Sequence, residues 1–486
     1  MLRVTFRLCG FRHLHLETTK KHRTIVCFRL QAAVYLLHMQ LTFYGGTGEA
    51  TGSNYILESG GTKIMIDCGL HQGSHYADRE NFEQFAYDPK TVSAVFITHS
   101  HLDHIGRLPS LVLGGFRGAI YSTHATRDFA ELMLEDSEHL LAQEAKREAR
   151  PPLYRDDDIQ KVTALWKGLK YHEPVEIGPF KVELYDAGHI LGSAIIHVEC
   201  EGKTIVFSGD LGNVPSPLIK PTEQIPAADY CLIESTYGDR MHEDVAARRE
   251  MLQGAIDETF KAGGVLMIPS FAMERTQDLL FHFHQLHEEG KLPDEPIFLD
   301  SPLAIKLTEL FKKHEDAFND KVENIMKEGD EILSFPGLKV TLSTEESKAI
   351  NDVPAPKIII AGSGMSNGGR ILHHEVRYLS DPKSEVVFVG YQAEGSMGRE
   401  MLMGATEVRI FGEAVPVRCR KIDIPGYSAH ADQPHLLAWL SSMKGSLKKV
   451  FVVQGEQTSS ETLAHKIIDD FGITAEVPHA NETVTL

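Results

Sequence analysis

Apolar and polar residues alternate in short runs closed by glycine turns from Met39 to about residue 237. This period-two pattern predicts strands over 41–44, 53–58, 63–67, 94–98, 181–186, 194–199, 204–209 and 230–234. Between them, 125–150 and 156–168 carry helical spacing and are separated by Pro151-Pro152. After Tyr237 the pattern changes to strand-then-helix units. The run 264–269 feeds an amphipathic segment over 274–287, 296–300 feeds 302–314, and 357–361 feeds Gly362-Ser363-Gly364-Met365-Ser366-Asn367-Gly368-Gly369-Arg370. The run 386–390 repeats the device. Such alternation predicts a doubly wound parallel sheet, and so a second domain of different architecture. From about Pro425 the tail carries a strand over 449–453 and a helix over 461–471. There is no internal repeat and no low-complexity segment.

At 486 residues the chain exceeds one ordinary core, so two domains are expected and three are within range. Its 42% apolar and 24% charged residues are those of a globular protein, and no apolar run approaches the roughly 18 residues that span a membrane. Cys9, Cys27, Cys68, Cys200, Cys231 and Cys419 lie apart with no C-x-x-C pair. That usage points to reduced thiols in the cytoplasm and away from cysteine-bound zinc. The formal charge of −19 opposes broad adhesion to nucleic acid. It leaves room for a groove in which metal ions and a few Arg or Lys residues supply local positive charge. Residues 1–38 differ in kind, with seven Arg and Lys against Glu17 alone, a local charge of +6. A transit peptide or a weak signal-like core over 25–37 would have this character. The favoured reading is that Met39 is the natural start, because a strand and glycine turn follow it at once, and that 1–38 is an extension outside the fold.

The polar residues at the strand ends carry the chemistry. His99-Ser100-His101-Leu102-Asp103-His104 follows the apolar run 94–98 and brings three imidazoles and a carboxylate to the rim of a sheet. Catalytic zinc draws its nitrogen and oxygen ligands from such sets. Four adjacent titratable groups cannot all be buried without partners, which argues against core histidines. Further on, Gly188-His189-Ile190-Leu191-Gly192-Ser193 holds a histidine in a glycine turn between strands, and Asp210 follows the strand 204–209. Asp67, after the strand 63–66, either supports an imidazole by hydrogen bonding or starts a turn. His430, in Ser428-Ala429-His430-Ala431-Asp432, reads as either a surface cap or a functional group. His282, His284 and His287 read as ordinary surface and core positions of an amphipathic helix. The glycine loop lacks the Lys-Ser/Thr ending of a nucleotide-binding P-loop. Its N–H groups ahead of a helix still offer a phosphate site, with Ser363, Gly364 and Arg370 as the candidate contacts.

Taken in order, H-x-H-x-D-H, then His189, then Asp210, each after a strand, these motifs resemble the metallo-β-lactamase fold, an αββα sandwich with two metals between its sheet edges. Glu234-Ser235-Thr236-Tyr237-Gly238, Ile268-Pro269-Ser270-Phe271-Ala272, Ser363-Gly364-Met365, Gly390-Tyr391-Gln392-Ala393-Glu394-Gly395 and Ser428 to Asp432 resemble its β-CASP branch. That branch comprises nucleases with an inserted nucleotide-handling domain, and includes ribonuclease J and the endonuclease of pre-mRNA cleavage. The resemblance covers nearly the whole chain from Met39. It implies an α/β protein in which 39–237 begins the metallo-β-lactamase domain, 238–424 is the inserted β-CASP domain with the doubly wound parallel sheet, and 425–486 completes the first domain.

The resemblance also assigns roles. His99, His101 and His189 hold a first Zn²⁺, Asp103 and His104 a second, and Asp210 bridges them. A hydroxide shared by the two ions is the implied nucleophile. His430 is the implied general acid, with Glu234 orienting it. The implied substrate is single-stranded RNA, cut to leave a 5′-phosphate and a 3′-hydroxyl, by a cytoplasmic protein with no membrane partner; related proteins are often homodimers.

One motif departs from the family. Its third motif is usually a histidine in V-H-G-E, and here the segment reads Val452-Val453-Gln454-Gly455-Glu456. An amide oxygen is a poorer donor than imidazole, so Gln454 is expected to be a weak ligand. The second site is then weakly filled or takes the harder Mn²⁺. His465 and His479 are candidates to stand in by residue type. Three functional readings follow: a zinc-dependent ribonuclease, which is favoured; an RNA-binding or scaffold protein with reduced catalysis; and a hydrolase of another ester class, such as a thioester or lactone. The long insertion disfavours the third.

Overall fold

A computed structural model describes residues 38–72, 79–147, 149–242 and 245–486. The reading of 1–38 as an extension therefore falls, but for its last residue, outside the described residues.

Two seven-stranded sheets stack face to face. The first runs, in spatial order, Thr483–Thr485, Gln40–Gly45, Asn54–Ser59, Thr62–Ile66, Ala94–Phe96, Ala119–Thr123 and Trp166–Leu169. The second runs Thr474–Glu476, Lys449–Val453, Tyr230–Glu234, Lys203–Phe207, Ala194–Cys200, Phe180–Asp186 and Val175–Ile177. Alternation dictates which side chains meet. In Gln40–Gly45, Leu41 and Phe43 turn inward while Gln40, Thr42 and Tyr44 are partly exposed. Phe43 meets Phe451 of the opposite sheet at 5.2 Å between ring centres, within a cluster that includes Leu57, Phe96, Ile196 and Phe207.

The outer face of the first sheet is covered by Leu108–Leu113, His124–Arg147 and Asp156–Leu165. That of the second is covered by Gln433–Ser441 and Gln457–Phe471. The result is the expected αββα sandwich. The tail completes it twice, pairing Lys449–Val453 with Tyr230–Glu234 and Thr483–Thr485 with Gln40–Gly45.

The strands between Val265 and Asp423 form a separate sheet of six parallel strands, in the order Leu338–Val340, Ile297–Asp300, Lys357–Ala361, Val265–Pro269, Glu385–Phe388 and Arg420–Asp423. Its central strands Val265–Pro269 and Lys357–Ala361 are buried at every residue, as strands covered on both faces must be. Arg275–Glu288, Pro302–Phe311 and Ile371–Tyr378 are among its helices.

Tertiary contacts override two local expectations. The helix expected over 156–168 stops at Leu165, and Trp166–Leu169 becomes an edge strand parallel to Ala119–Thr123. Trp166 there donates its ring N–H to Ser122 Oγ at 2.8 Å. The helix Arg275–Glu288 is buried on nearly all sides rather than amphipathic. His282 and His284 are both buried, and the His284 ring is bonded to the Ser334 carbonyl and to Asp330.

Glu375, fully buried on Ile371–Tyr378, accepts a 2.6 Å hydrogen bond from Ser366 Oγ. Burial raises its pKa to about 8 despite that bond. A carboxyl that keeps its proton in the folded state costs nothing below its unfolded pKa, and the cost grows as pH rises from about 4.5 toward 8. Glu375→Gln is therefore expected to match the wild type near pH 5 and to exceed it in stability near pH 8, by on the order of 4 kcal/mol. Denaturant melts at the two pH values check this; parallel curves would show that Glu375 titrates normally.

Candidate metal centre

Every sequence motif of the cluster ends at one edge of the sandwich. Past Ala94–Phe96 the chain turns at Thr98 and enters the short helix Leu102–Ile105, so that His99, His101, Asp103 and His104 flank one turn. Asp67 builds that turn. Its backbone is left-handed (φ 58°), and its carboxylate accepts from Thr98 N (2.8 Å), Thr98 Oγ1 (2.9 Å), Ser53 Oγ (3.2 Å) and His104 Nδ1 (2.7 Å). Of the two readings of Asp67, the structure selects the supporting one: Nδ1 of His104 is committed, and Nε2 faces the centre.

His189 sits between Gly188 and Gly192, both at positive φ, with its own N–H and that of Ile190 donating to Ser193 Oγ. Asp210 and Glu234 lie at the ends of the parallel strands Lys203–Phe207 and Tyr230–Glu234. The Ala194 N–H donates to the Thr98 carbonyl at 2.7 Å and joins the two sheet edges beside the cluster.

The donors converge. His99 Nε2 and His101 Nδ1 are 3.0 Å apart, His101 Nδ1 and His189 Nε2 3.3 Å, and Asp210 Oδ2 lies 3.4 Å from His99 Nε2 and 3.6 Å from His189 Nε2. On the other side His104 Nε2 is 3.4 Å from the same Asp210 oxygen and 3.6 Å from Asp103 Oδ2. Ligands of a tetrahedral zinc at ~2.05 Å must be about 3.3 Å from each other. The six separations above, 3.0 to 3.6 Å, match that spacing, the atoms of each set all lie within 4.8 Å of one another, and Asp210 belongs to both sets. His189 Nδ1 and Asp210 Oδ1 are buried without a protein partner. The residues present fit two ions.

Electrostatics favours ligation at four of the groups and not at His104, where burial pushes the pKa down but Asp210, Asp67 and Asp103 outweigh it and raise the ring well above the usual histidine range. Burial, reinforced by neighbouring imidazoles, holds His99 and His189 well below the usual histidine range. Burial takes His101 down to about 3 against the pull of Asp210. All three keep free lone pairs. Burial pushes Asp210 upward, but His104 and His99 outweigh it and keep the carboxylate ionised. Burial raises Asp103 to about 6, with His104 opposing.

His430, at the turn before Gln433–Ser441, places Nδ1 3.2 Å from Glu234 Oε2 and 3.8 Å from Asp210 Oδ2. Burial alone would lower its pKa; Glu234 and then Asp210 overcome this and raise it to about 8. Glu234 itself is fully buried and anchored by the Leu211 N–H at 2.6 Å.

Gln454 lies at the end of Lys449–Val453 with φ 50° and 2% exposure. Its Nε2 is 3.2 Å from His104 Nε2. Gly46 (φ 66°) makes room, since a Cβ there would fall 2.1 Å from Gln454 Oε1. His465 and His479 are both exposed, and neither joins a metal-ligand cluster among the described residues.

The other candidates lie in the six-stranded domain. Arg370 is committed to Asp300 (2.7 Å) and to the Thr341 and Leu342 carbonyls. Ser363 Oγ accepts the Asn367 and Gly368 N–H groups at 3.2 Å, so those two amides turn into the loop. Gly364 packs against the Phe271 ring.

Three contributors escaped the sequence reading. Ser100 Oγ donates to Met273 Sδ (3.2 Å), the Leu191 N–H donates to Glu274 Oε2 (3.2 Å), and the His242 ring meets the His430 carbonyl at 3.0 Å. Met273 and Glu274 precede Arg275–Glu288, so the six-stranded domain grips both the His99 and the His189 loops. The one sequence signal was a carboxylate just ahead of a helix.

Comparison with known proteins accords with this geometry. The metallo-beta-lactamase superfamily matches residues 47–230, the Beta-Casp domain 276–401, and the Zn-dependent metallo-hydrolase RNA specificity domain 414–478. The chain is similar to ribonuclease TTHA0252 of Thermus thermophilus, 39% identical over 86% of this chain and 94% of the relative. It is also similar to an RNase J-like protein of Methanocaldococcus jannaschii, 32% identical over 90% of this chain and 97% of the relative. Transcription termination factor FttA of the same organism is 30% identical over 86% of this chain and 67% of the relative. A crystal structure of a protein of unknown function from Enterococcus faecalis shares the fold, with a TM-score of 0.52 at 12% identity, over 92% of this chain and all of that one. The chain belongs to the β-CASP branch of the metallo-β-lactamase superfamily.

Proposed function

We propose that this protein is a metal-dependent ribonuclease that hydrolyses single-stranded RNA at a dinuclear zinc centre. The observation that carries the reading is the sharing of Asp210 Oδ2 between two donor sets, each at ligand-to-ligand spacing. His99, His101 and His189 would hold one ion, Asp103 and His104 the other, with Asp210 between them. Bound there, two such ions would supply a hydroxide at neutral pH and would neutralise charge building on the phosphate oxygens.

The chain's own groups do the rest. Asp67 fixes His104, and Glu234 holds His430 by Nδ1, which leaves the ring's other nitrogen to deliver a proton to the departing 3′ oxygen. The Glu234 and His430 pair is thus an orienter and an acid, and the product keeps its 5′-phosphate. We assign 39–237 and 425–486 to the metallo-β-lactamase domain and 238–424 to the insertion. The four described cysteines are free and buried, which suits a reducing cytoplasm. No helix among the described residues is long and apolar enough to cross a membrane.

Gln454 favours a second reading, an RNA-binding protein with weak catalysis. Gln454→His is expected to raise affinity for the second ion, because imidazole replaces an amide beside His104. Zinc titration by calorimetry checks this, and an unchanged affinity would remove Gln454 from the coordination shell. To separate the readings, labelled single-stranded RNA and DNA of one sequence are incubated with metal-replete protein. Products with 5′-phosphate ends from RNA support the ribonuclease; retention of RNA without cleavage supports the binding protein.

A further inference from the structure

Away from the metal centre, two carboxylates converge on one imidazole. His71 Nδ1 lies 3.1 Å from Glu49 Oε2 and 3.5 Å from Glu80 Oε2, and the three ligand atoms fall within 4.8 Å of one another. A single ring N–H cannot serve both oxygens well, and even a charged imidazole leaves the trio net negative. Among the described residues no Lys or Arg pairs with either carboxylate. Arg107, which lines the same cavity, pairs with neither carboxylate: its guanidinium lies over the Phe85 ring at 4.2 Å, one terminal N–H donates to the Glu83 carbonyl at 2.7 Å, and its Nε is buried without a partner.

The trio is built, not accidental. Asn81, itself 4% exposed, holds residue 71 by a reciprocal pair of 2.8 Å bonds, its Oδ1 to the His71 N–H and its Nδ2 to the His71 carbonyl. This fixes Glu80, next in sequence, beside the ring. Gly52 (φ 79°) leaves the space the ring fills, since a Cβ there would come 2.6 Å from His71 Nδ1.

A second observation points to a cation. Asn54, 5% exposed, lines the same cavity of about 530 Å³ as Glu49, His71 and Glu80. Its Nδ2 is spent on Tyr87 Oη at 2.9 Å, and its Oδ1 is buried without a donor. Thr47 Oγ1 and Arg107 Nε, which line the same cavity, are likewise buried without a partner, and Asn54 Oδ1 is the unmet carbonyl acceptor among them.

We propose that Glu49, His71 and Glu80 form a third cation site, separate from the catalytic centre, that takes a first-row divalent ion through two carboxylates and one imidazole. Such a mixed oxygen and nitrogen set suits Mn²⁺ or Zn²⁺ rather than Ca²⁺. The inference stands whether or not the protein cuts RNA, because its readout is metal content. Wild type and Glu80→Gln are saturated with Mn²⁺ or Zn²⁺, freed of excess metal and measured by mass spectrometry of the metal. The wild type is expected to hold one more ion per chain than Glu80→Gln, and metal is expected to raise the melting temperature of Asp210→Asn but not of Asp210→Asn carrying Glu80→Gln. Glu49→Gln, measured in parallel, is expected to lose the same ion, so that a folding defect in one variant does not decide the result. Equal metal content in the wild type and both variants would overturn the proposal and leave the trio as an ion pair only.

Discussion

Asp210→Asn is expected to lower RNA cleavage by about 10³-fold or more while leaving the far-ultraviolet dichroism unchanged. Metal-ion catalysis contributes several kcal/mol to such a reaction, each 1.4 kcal/mol being about tenfold in rate. Asp210 is the one carboxylate shared by the two donor sets, its Oδ2 within 3.6 Å of His99, His104 and His189. The amide keeps the shape and removes the negative charge that lies against the His99, His104 and His189 imidazoles. Metal content is expected to fall in step with activity, and a variant that retained both would remove Asp210 from the centre.

His430→Ala is expected to lower kcat by about 10² to 10⁴-fold, the usual worth of a positioned general acid, with metal content intact. His430, Asp210 and Glu234 also lie close enough to hold an ion themselves. The metal measurement therefore decides between two roles for one side chain. Loss of an ion along with activity would make His430 a ligand; loss of rate alone makes it the acid. Glu234→Gln is expected to move kcat in the same direction by a smaller factor, since Glu234 acts through the ring it holds at 3.2 Å.

The candidate centre was legible in the sequence to the extent that its candidate ligands are local. His99 to His104 occupies one turn, and His189 and Asp210 each sit in a glycine turn after a strand, where little but function explains them. Asp67 was half legible: its position after a strand was visible, but its choice between a turn and a support for His104 depends on Thr98 and Ser53, which only the fold brings near. Trp166–Leu169 was hidden because a short helix-compatible stretch gained its strand partner from Ala119–Thr123, far back in the chain. The histidine-bearing helix looked amphipathic because its sequence cannot reveal that Tyr427, whose ring lies 5.2 Å from His282, covers its polar side. Arg370 looked like a free cation at a phosphate loop until Asp300, at the end of the strand Ile297–Asp300, claimed it. The trio of Glu49, His71 and Glu80 carries no motif, because three separate segments supply it.

The His99 to His104 cluster is proposed to work as a metal-dependent phosphodiesterase centre. The most direct measurement compares cleavage of end-labelled single-stranded RNA by protein stripped of metal, by the same protein refilled with zinc, and by refilled Asp103→Ala. Cleavage is expected only in the refilled wild type; equal cleavage in all three would show that the cluster and its metal take no part in the reaction.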